Sequence, residues 1–447
     1  MNRVVITGIG TVSPLGNSLH ESWAAAKEGL SGITPITRFD VSGIKWKVAG
    51  ELKGFVAGKY LARKDIIRLD LFVLYAAAAA MMAAEDAGLI KQLPVDSHES
   101  PSLLPSHTKV GMTGVIPYLQ TPNSKLLEAA GVIIGSSRGG ICTIEKSLID
   151  GGQPPVKGDN SEYRRRRISA YLMPSTTISM ASSYVAQRLG IKGYCLGISS
   201  ACASGASAIG EAYRLIKSGY ASTVFCGGAE APLCRLCVEG YGASGALSRI
   251  NDASASRPFD RTRDGFVLSE GAGVLVLEEY ESALKRGTRI YGEILGYGNT
   301  TDAFHQTIPS PEGEARAIEM AMDEAGLKPE DVDFINAHGT STPLGDKTET
   351  KAIKLTFGKR AHHIPVTSIK SSTGHMLAAS GALEAAFTLM SMNEGIIPAT
   401  INLKERDPEC DLDYVTELRK SEMKFALSHS FGFGGLNAVL IFKRFRS

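Results

Sequence analysis

The chain has 447 residues, 43% of them hydrophobic and 21% charged, which is the make-up of a globular protein long enough for two core-bearing units. Lysine and arginine number 48 against 46 aspartates and glutamates, a formal +2, so no global field argues for nucleic acid and an acidic partner must be met by a local patch. The longest apolar run, Leu71 to Ala84, is too short to span a bilayer.

Met1 to Gly10 reads directly as a strand and a glycine turn with no targeting segment before it, so a cytoplasmic location is expected. Arg3 to Gly8 is apolar, and Gly8, Gly10, Pro14 and Gly16 punctuate a loop after it. Leu19 to Gly29 has helical spacing. Arg63 to Gly88 reads as one long helix, charged at its start and alanine-rich in its buried middle. From Leu89 to about Ser124, Pro94, Pro101, Pro105, Pro117 and Pro122 fall among Ser, Thr and His, which marks a surface insertion. Order resumes at Ala130-Gly-Val-Ile-Ile-Gly-Ser-Ser-Arg-Gly-Gly, a buried strand entering a glycine turn. Arg164 to Arg167 is the densest positive spot in the chain. Such a run is usually a solvated face.

Ser175 to Leu189 is helical. Tyr194 to Ser199 is then a short strand leading into Ser-Ala-Cys-Ala-Ser-Gly, and helical spacing follows through Ala208, Ile209, Ala212, Leu215 and Ile216. Cys202 therefore sits where a strand turns into a helix N-terminus, a position that favours a thiolate. Seven cysteines form no regular framework, and Cys234-x-x-Cys237 has no second pair or nearby histidine, so packing accounts for it and a reducing compartment fits.

Around residue 290 the pattern restarts: strand Ile290 to Gly296, helix Glu312 to Ala325, strand Val332 to Asn336, and then Val366 to His375 leading into the helix Leu377 to Met392. Residues 366–392 mirror 195–218. Strands alternating with helices argue an α/β fold, and the restart argues two similar halves.

Three more stretches put reactive groups at strand ends, where α/β folds build their sites. They are Asn336-Ala-His-Gly-Thr-Ser-Thr, Lys370-Ser-Ser-Thr-Gly-His with Glu384 beyond it, and Ser430-Phe-Gly-Phe-Gly-Gly. With Ser-Ala-Cys-Ala-Ser-Gly, and in this order, they resemble the four signatures of the β-ketoacyl-acyl-carrier-protein synthases, the elongating Cys-His-His type of the thiolase superfamily. The resemblance covers nearly the whole chain except the insertion, and includes Arg257-Pro-Phe-Asp and Arg263-Asp-Gly-Phe-Val.

That resemblance implies a five-layered α/β/α/β/α fold with mixed sheets and duplicated halves, here 1–285 and 286–447, and a homodimer. It implies a decarboxylative condensation in fatty acid elongation. Cys202 would take up the acyl group and His338 and His375 would act on malonyl-carrier protein, with Lys370 and Glu384 tuning the site and holding His375. The N–H groups of Cys202 and Phe431 would form an oxyanion hole. Thr340 and Thr342 would hold a pantetheine arm, Phe431 and Phe433 would gate the acyl channel, and Arg138 and Tyr241 would line it. Lys64, Arg68, Arg166 and Arg167 would dock an acidic acyl carrier protein, which brings its own phosphopantetheine. No metal, cofactor, nucleic acid or membrane is expected.

Three departures from the family pattern stand out. Ser200 replaces a usual Thr, and His429 replaces an Asn before Ser-Phe-Gly-Phe, with an expected effect on how the gating loop locks. Arg138 replaces a small or apolar residue of the acyl pocket, so it either turns away to a carboxylate or shortens or polarises the pocket. A specialised polyketide ketosynthase is therefore the main alternative. A thiolase lacks support because the C-terminal glycine turn has no cysteine, and a non-catalytic partner subunit lacks it because Cys202 is present.

Overall fold

Strand β1 (Val4–Val12) is buried along its whole length, in a computed structural model that describes residues 1–92, 119–120, 123–151 and 168–445. Gly8 and Gly10, expected in a loop, lie inside this strand. The reason is a close neighbour: a Cβ on Gly10 would stand 2.0 Å from the Ala79 carbonyl oxygen, and one on Gly8 2.3 Å from that of Ala83. The glycines of the first strand and the alanines of the long helix are two sides of one contact.

That helix is divided. Helix α1 (Arg63–Arg68) ends at Leu69, whose backbone is extended, and α2 (Leu71–Asp86) starts afresh. Asp70 makes the break by accepting the Phe72 N–H at 3.1 Å as N-cap and the Thr143 N–H and hydroxyl at 3.1 and 2.6 Å. Such a cap is worth about 1 kcal/mol.

The remaining elements that position the site follow in chain order: β2 (Gly131–Gly135), α3 (Met180–Leu189), β3 (Cys195–Ile198), α4 (Ser204–Lys217), β4 (Thr223–Glu230), α5 (Arg235–Ala243), β5 (Gly271–Glu279) and β6 (Gly292–Thr301). After them come α6 (Pro311–Ala325), β7 (Phe334–Asn336), α7 (Pro343–Phe357), β8 (Pro365–Thr367), α8 (Lys370–Thr373), α9 (Ser380–Glu394), β9 (Asp413–Tyr414), β10 (Phe425–Gly432) and β11 (Leu436–Arg444).

These strands form one mixed sheet in the order β9-β8-β7-β10-β11-β6-β1-β5-β4-β2-β3. Outward from the centre, β1-β5-β4 are antiparallel neighbours and β4-β2-β3 parallel ones. The other side repeats this, with β6-β11-β10 antiparallel and β10-β7-β8 parallel. The restart near residue 290 is thus a repeat of strand order and sense. A short antiparallel junction, Val4↔Ile294 to Ile6↔Gly292, joins the two sides into one sheet.

Strands buried on both faces account for the near-continuous apolar runs. Val132, Ile134 and Val274 pack with Phe72 and Val185 of α2 and α3. The opposite face, with Ile133 and Leu275, packs with Ile209 of α4 and Ala385 of α9, which also meet Ala426 and Phe442. Ile335 and Ile441 pack with Ile318 of α6 and Ile353 of α7. The layers run α/β/α/β/α as expected, with α4 and α9 in the middle.

Most of the expected insertion lies outside the described residues; its ends pair as Lys91↔Gln120 and Gln92↔Leu119. Among the described residues, no helix is long and apolar enough to cross a membrane.

Candidate active site

Cys202 lies between the end of β3 and the start of α4, as the small-residue run predicts. The turn is held by Ser204, whose hydroxyl accepts the Ser200 N–H at 2.9 Å and donates to the Ala201 carbonyl at 2.6 Å. Ala201 pays for the turn with φ +50°, a left-handed conformation unusual for a residue with a side chain. The expectation of an acidic thiol is not met. Burial pushes the Cys202 thiol up to about 11, although the Phe433 N–H and the charges of Lys370 and Arg138 act in the thiolate's favour. Desolvation outweighs the helix terminus because the sulfur is buried short of the first helical residue, Ser204.

His338 follows β7 and His375 follows α8, and the fold brings their rings to 5.4 Å between centroids at 85°. Both are buried, and burial followed by the charge of Lys370 holds both imidazoles well below the usual histidine range. They are therefore neutral. Among the described residues, Nδ1 of His338 and Nε2 of His375 have no hydrogen-bond partner.

Lys370 and Glu384 form a fully buried ion pair between α8 and α9. They do not hold His375 by hydrogen bonds. Its Nδ1 lies 3.1 Å from the hydroxyl of Ser380, which also accepts the Met376 N–H at 3.0 Å. When the hydroxyl donates its proton to Nδ1, the ring proton sits on Nε2, the tautomer that can donate to a substrate oxygen. The sequence reading missed Ser380, whose spacing five residues after His375 put it on the next helix. Glu349 of α7 was also missed. It accepts the backbone N–H groups of His338 and Gly339 at 2.8 and 2.7 Å and Nδ1 of His429 at 3.0 Å.

A cavity of about 360 Å³ is lined by Cys202, His338 and His375 and, farther along its wall, by Thr340, Thr342 and the exposed Ile308. The Thr340 and Thr342 hydroxyls are 3.1 Å apart, and Thr342 caps α7 by accepting the Gly345 N–H. Phe431 and Phe433 flank the cavity at the end of β10. The glycine loop after them is fastened by the Gly434 N–H to the Gln306 carbonyl, by the Asp302 N–H to that of Gly435, and by Asn437 to Asp302. His429 does not lock this loop; its bond goes to Glu349.

Among the described residues, Arg138 neither pairs with a carboxylate nor lines the cavity. Its Nε–H donates to the Tyr241 hydroxyl at 2.8 Å, with the guanidinium carbon 5.1 Å from the ring centroid. Tyr241 lines the cavity and packs against Phe266 and Phe433. Lys64 and Arg68 lie on α1, with Arg68 exposed over the ring of Tyr171; Arg166 and Arg167 lie outside the described residues. Cys142, Cys234 and Cys237 join the apolar cluster around Cys202. Among the described residues, no group of three or more His, Cys, Asp or Glu is placed to hold a metal ion.

A buried thiol facing two neutral histidines in one cavity, on a repeated five-layer fold, defines the ketoacyl-synthase class. The models of the β-ketoacyl synthase N-terminal domain match residues 1–100 and 118–283, and those of the C-terminal domain residues 291–404. The chain belongs to the β-ketoacyl synthase family. It is 44% identical to 3-oxoacyl-[acyl-carrier-protein] synthase 2 of Synechocystis sp., covering 99% of this chain and 98% of that one. To the protein of the same name in Staphylococcus aureus it is 43% identical, covering 100% and 99%. Among solved structures, a β-ketoacyl synthase from Burkholderia phymatum superposes with a TM-score of 0.84 at 33% identity, over the full length of both chains. A type II polyketide ketosynthase, in complex with its acyl-carrier protein, superposes with 0.83 at 31%, covering 99% and 100%.

Proposed function

We propose that Cys202, His338 and His375 carry out the condensation of a 3-oxoacyl-[acyl-carrier-protein] synthase 2 in fatty acid elongation. The chain is an acyltransferase, and its relatives act on carrier-bound substrates. The Cys202 sulfur bonds to the acyl carbon of a carrier thioester, the carbon–sulfur bond to pantetheine breaks, and the thiol proton ends on the pantetheine sulfur. The oxyanion formed on the way is received by the N–H of Cys202 and, in place of the Phe431 N–H expected from the resemblance, by that of Phe433, which points at the sulfur.

Malonyl-carrier protein then loses its carboxylate as CO2, and the electron pair passes into an enolate. The imidazoles of His338 and His375 donate N–H bonds to its oxygen. Neutral rings suit this, because two imidazolium ions side by side would repel, and Lys370 beside them adds to that cost. The enolate carbon bonds to the acyl carbon, the Cys202 sulfur leaves, and a proton from solvent restores the thiol. Thr340 and Thr342 on the cavity wall bind the pantetheine amides, and Lys64, Arg68, Arg166 and Arg167 meet the acidic carrier.

We place the division between halves near residue 285 and take the working unit as a homodimer in the cytoplasm. The homodimer accounts for β3, an edge strand whose Leu196 is 40% exposed next to Tyr194 at 48%. The single observation that carries the reading is the convergence of Cys202 with two neutral histidines in one cavity. Intact mass of Cys202 after incubation with acyl-carrier protein, followed by CO2 release on adding malonyl-carrier protein, tests it. Acylation without CO2 release would leave the histidines' role unsupported.

A further inference from the structure

The Cys234-x-x-Cys237 pair gains a third sulfur in the fold. Cys234 is the N-cap of α5 and Cys237 lies in its first turn. Cys142, far earlier in the chain, reaches them from the helix Ile141–Gly151. Two contacts fasten the helices there: the Leu236 N–H donates to Glu145 at 2.6 Å, and the Cys142 sulfur lies 2.9 Å from the Ala231 carbonyl oxygen. The Cys142 and Cys237 thiols both come within hydrogen-bonding reach of the Cys234 sulfur. All three are free thiols, Cys142 half-buried and the other two buried.

The condensation uses none of them. Packing alone would leave three protonated thiols raised by burial, as Cys226 is. The central sulfur behaves otherwise. Hydrogen bonding by the Cys142 and Cys237 thiols, against burial, holds Cys234 well below the ordinary thiol range, and their bonds to it push the two neighbours up. The one proton of Cys142 can serve the Ala231 oxygen or the Cys234 sulfur, and a charged acceptor takes the stronger bond. The helix N-terminus favours the same charge. A thiolate with a protonated thiol against it supplies the nucleophile and the resolving group of a dithiol redox site. Cys142, half-buried, is the side on which a water-sized oxidant arrives.

We propose that Cys234 and Cys142 form a second reactive site, which reduces hydroperoxides and closes as a reversible disulfide. The Cys234 sulfur attacks a peroxide oxygen and the O–O bond breaks. The leaving oxygen takes a proton from solvent and departs as water or an alcohol, which leaves a sulfenic acid. The Cys142 sulfur then attacks the sulfenic sulfur, its thiol proton passes to the departing hydroxyl, and water leaves. Two thiols lose two electrons and one peroxide gains them. An external dithiol reopens the bond by exchange. The site does not rest on the condensation chemistry.

The test treats the wild type briefly with hydrogen peroxide, quenches in acid, alkylates the remaining thiols and maps the peptides. The Cys142–Cys234 disulfide is expected to form roughly tenfold or more faster than any oxidation of Cys202, because the thiolate is the nucleophile. A dithiol reductant is expected to restore both thiols. In Cys142→Ser the Cys234 sulfenic acid should last long enough to be trapped by a 1,3-diketone, and in Cys234→Ser the Cys142 thiol should survive. The wild-type map decides the matter whether or not the variants fold. Cys234 still alkylated once Cys202 is oxidised, or a Cys234–Cys237 link in place of Cys142–Cys234, would overturn the proposal.

Discussion

At the scale of single residues, the thiol and the imidazoles are set by burial. A Cys202 thiol pushed up to about 11 stays protonated at neutral pH. Its alkylation by iodoacetamide is expected to climb about tenfold per unit between about pH 7 and 10. A plateau near pH 8 would show an acidic thiol instead. Cys202→Ala is expected to lower acyl loading by at least about 10³-fold, read by intact mass. Ser380 acts through His375, so Ser380→Ala is expected to cut malonyl decarboxylation about 10- to 100-fold, as removal of a ligand-orienting partner does. Acyl transfer to Cys202 should hold its rate in that variant; equal loss in both steps would mark a merely structural role.

At the scale of elements, the site depends on how closely α4 and α9 approach. A Cβ on Gly205, one residue into α4, would sit 2.3 Å from the Ala378 carbonyl oxygen just before α9. Gly205→Ala must push apart the elements that carry Cys202 and His375. A loss of about 1–3 kcal/mol is expected in denaturant midpoints, the usual range for overpacking, with a larger proportional loss of condensation. The glycine-and-alanine composition of the first strand and second helix is the same device. It shows why the strand runs through Gly8 and Gly10 rather than stopping there: the residues that read as a loop are the ones a neighbouring backbone requires to be small.

At the scale of the whole molecule, two expectations follow. Among the described residues, Leu196 and its neighbours leave the β3 edge of a large sheet open, and if the proposed homodimer forms there, Leu196→Lys is expected to give a monomer in sedimentation where the wild type gives a dimer. The second concerns stability against pH. Burial raises the Glu314 carboxyl well above its ordinary 4.5, and among the described residues its Oε2 has no partner. In the folded chain it keeps its proton while the unfolded chain ionises. Its contribution to stability is therefore full below pH 4.5 and is lost as the pH rises through the folded value. Glu314→Gln is expected to raise the urea midpoint at about pH 8 and to change it little at about pH 4; a larger gain in acid would reverse the assignment.

Much of this protein was legible in the sequence. Alternating apolar runs and glycine turns gave the α/β pattern and its restart, because a strand buried on both faces can be built only from such runs. The small residues around Cys202 marked the strand-to-helix turn, because only small side chains fit it. The two histidines could be picked out only through the resemblance of their stretches to a family's motifs, because a lone histidine after a strand is more often just a satisfied polar residue. Tertiary structure decided the rest. Asp70 breaks the long helix because Thr143, 73 residues away, completes its hydrogen bonds. His375 is oriented by Ser380 and not by the buried Lys370–Glu384 pair, since the geometry of two helices chooses between neighbours that spacing cannot rank. Cys202 is a weak acid because the sulfur is desolvated. Arg138 turns to Tyr241, 103 positions on, because that hydroxyl is the acceptor the fold brings within its reach. Local pattern follows from side-chain size and periodicity, whereas protonation and partnership follow from burial and distance, which exist only once the chain has folded.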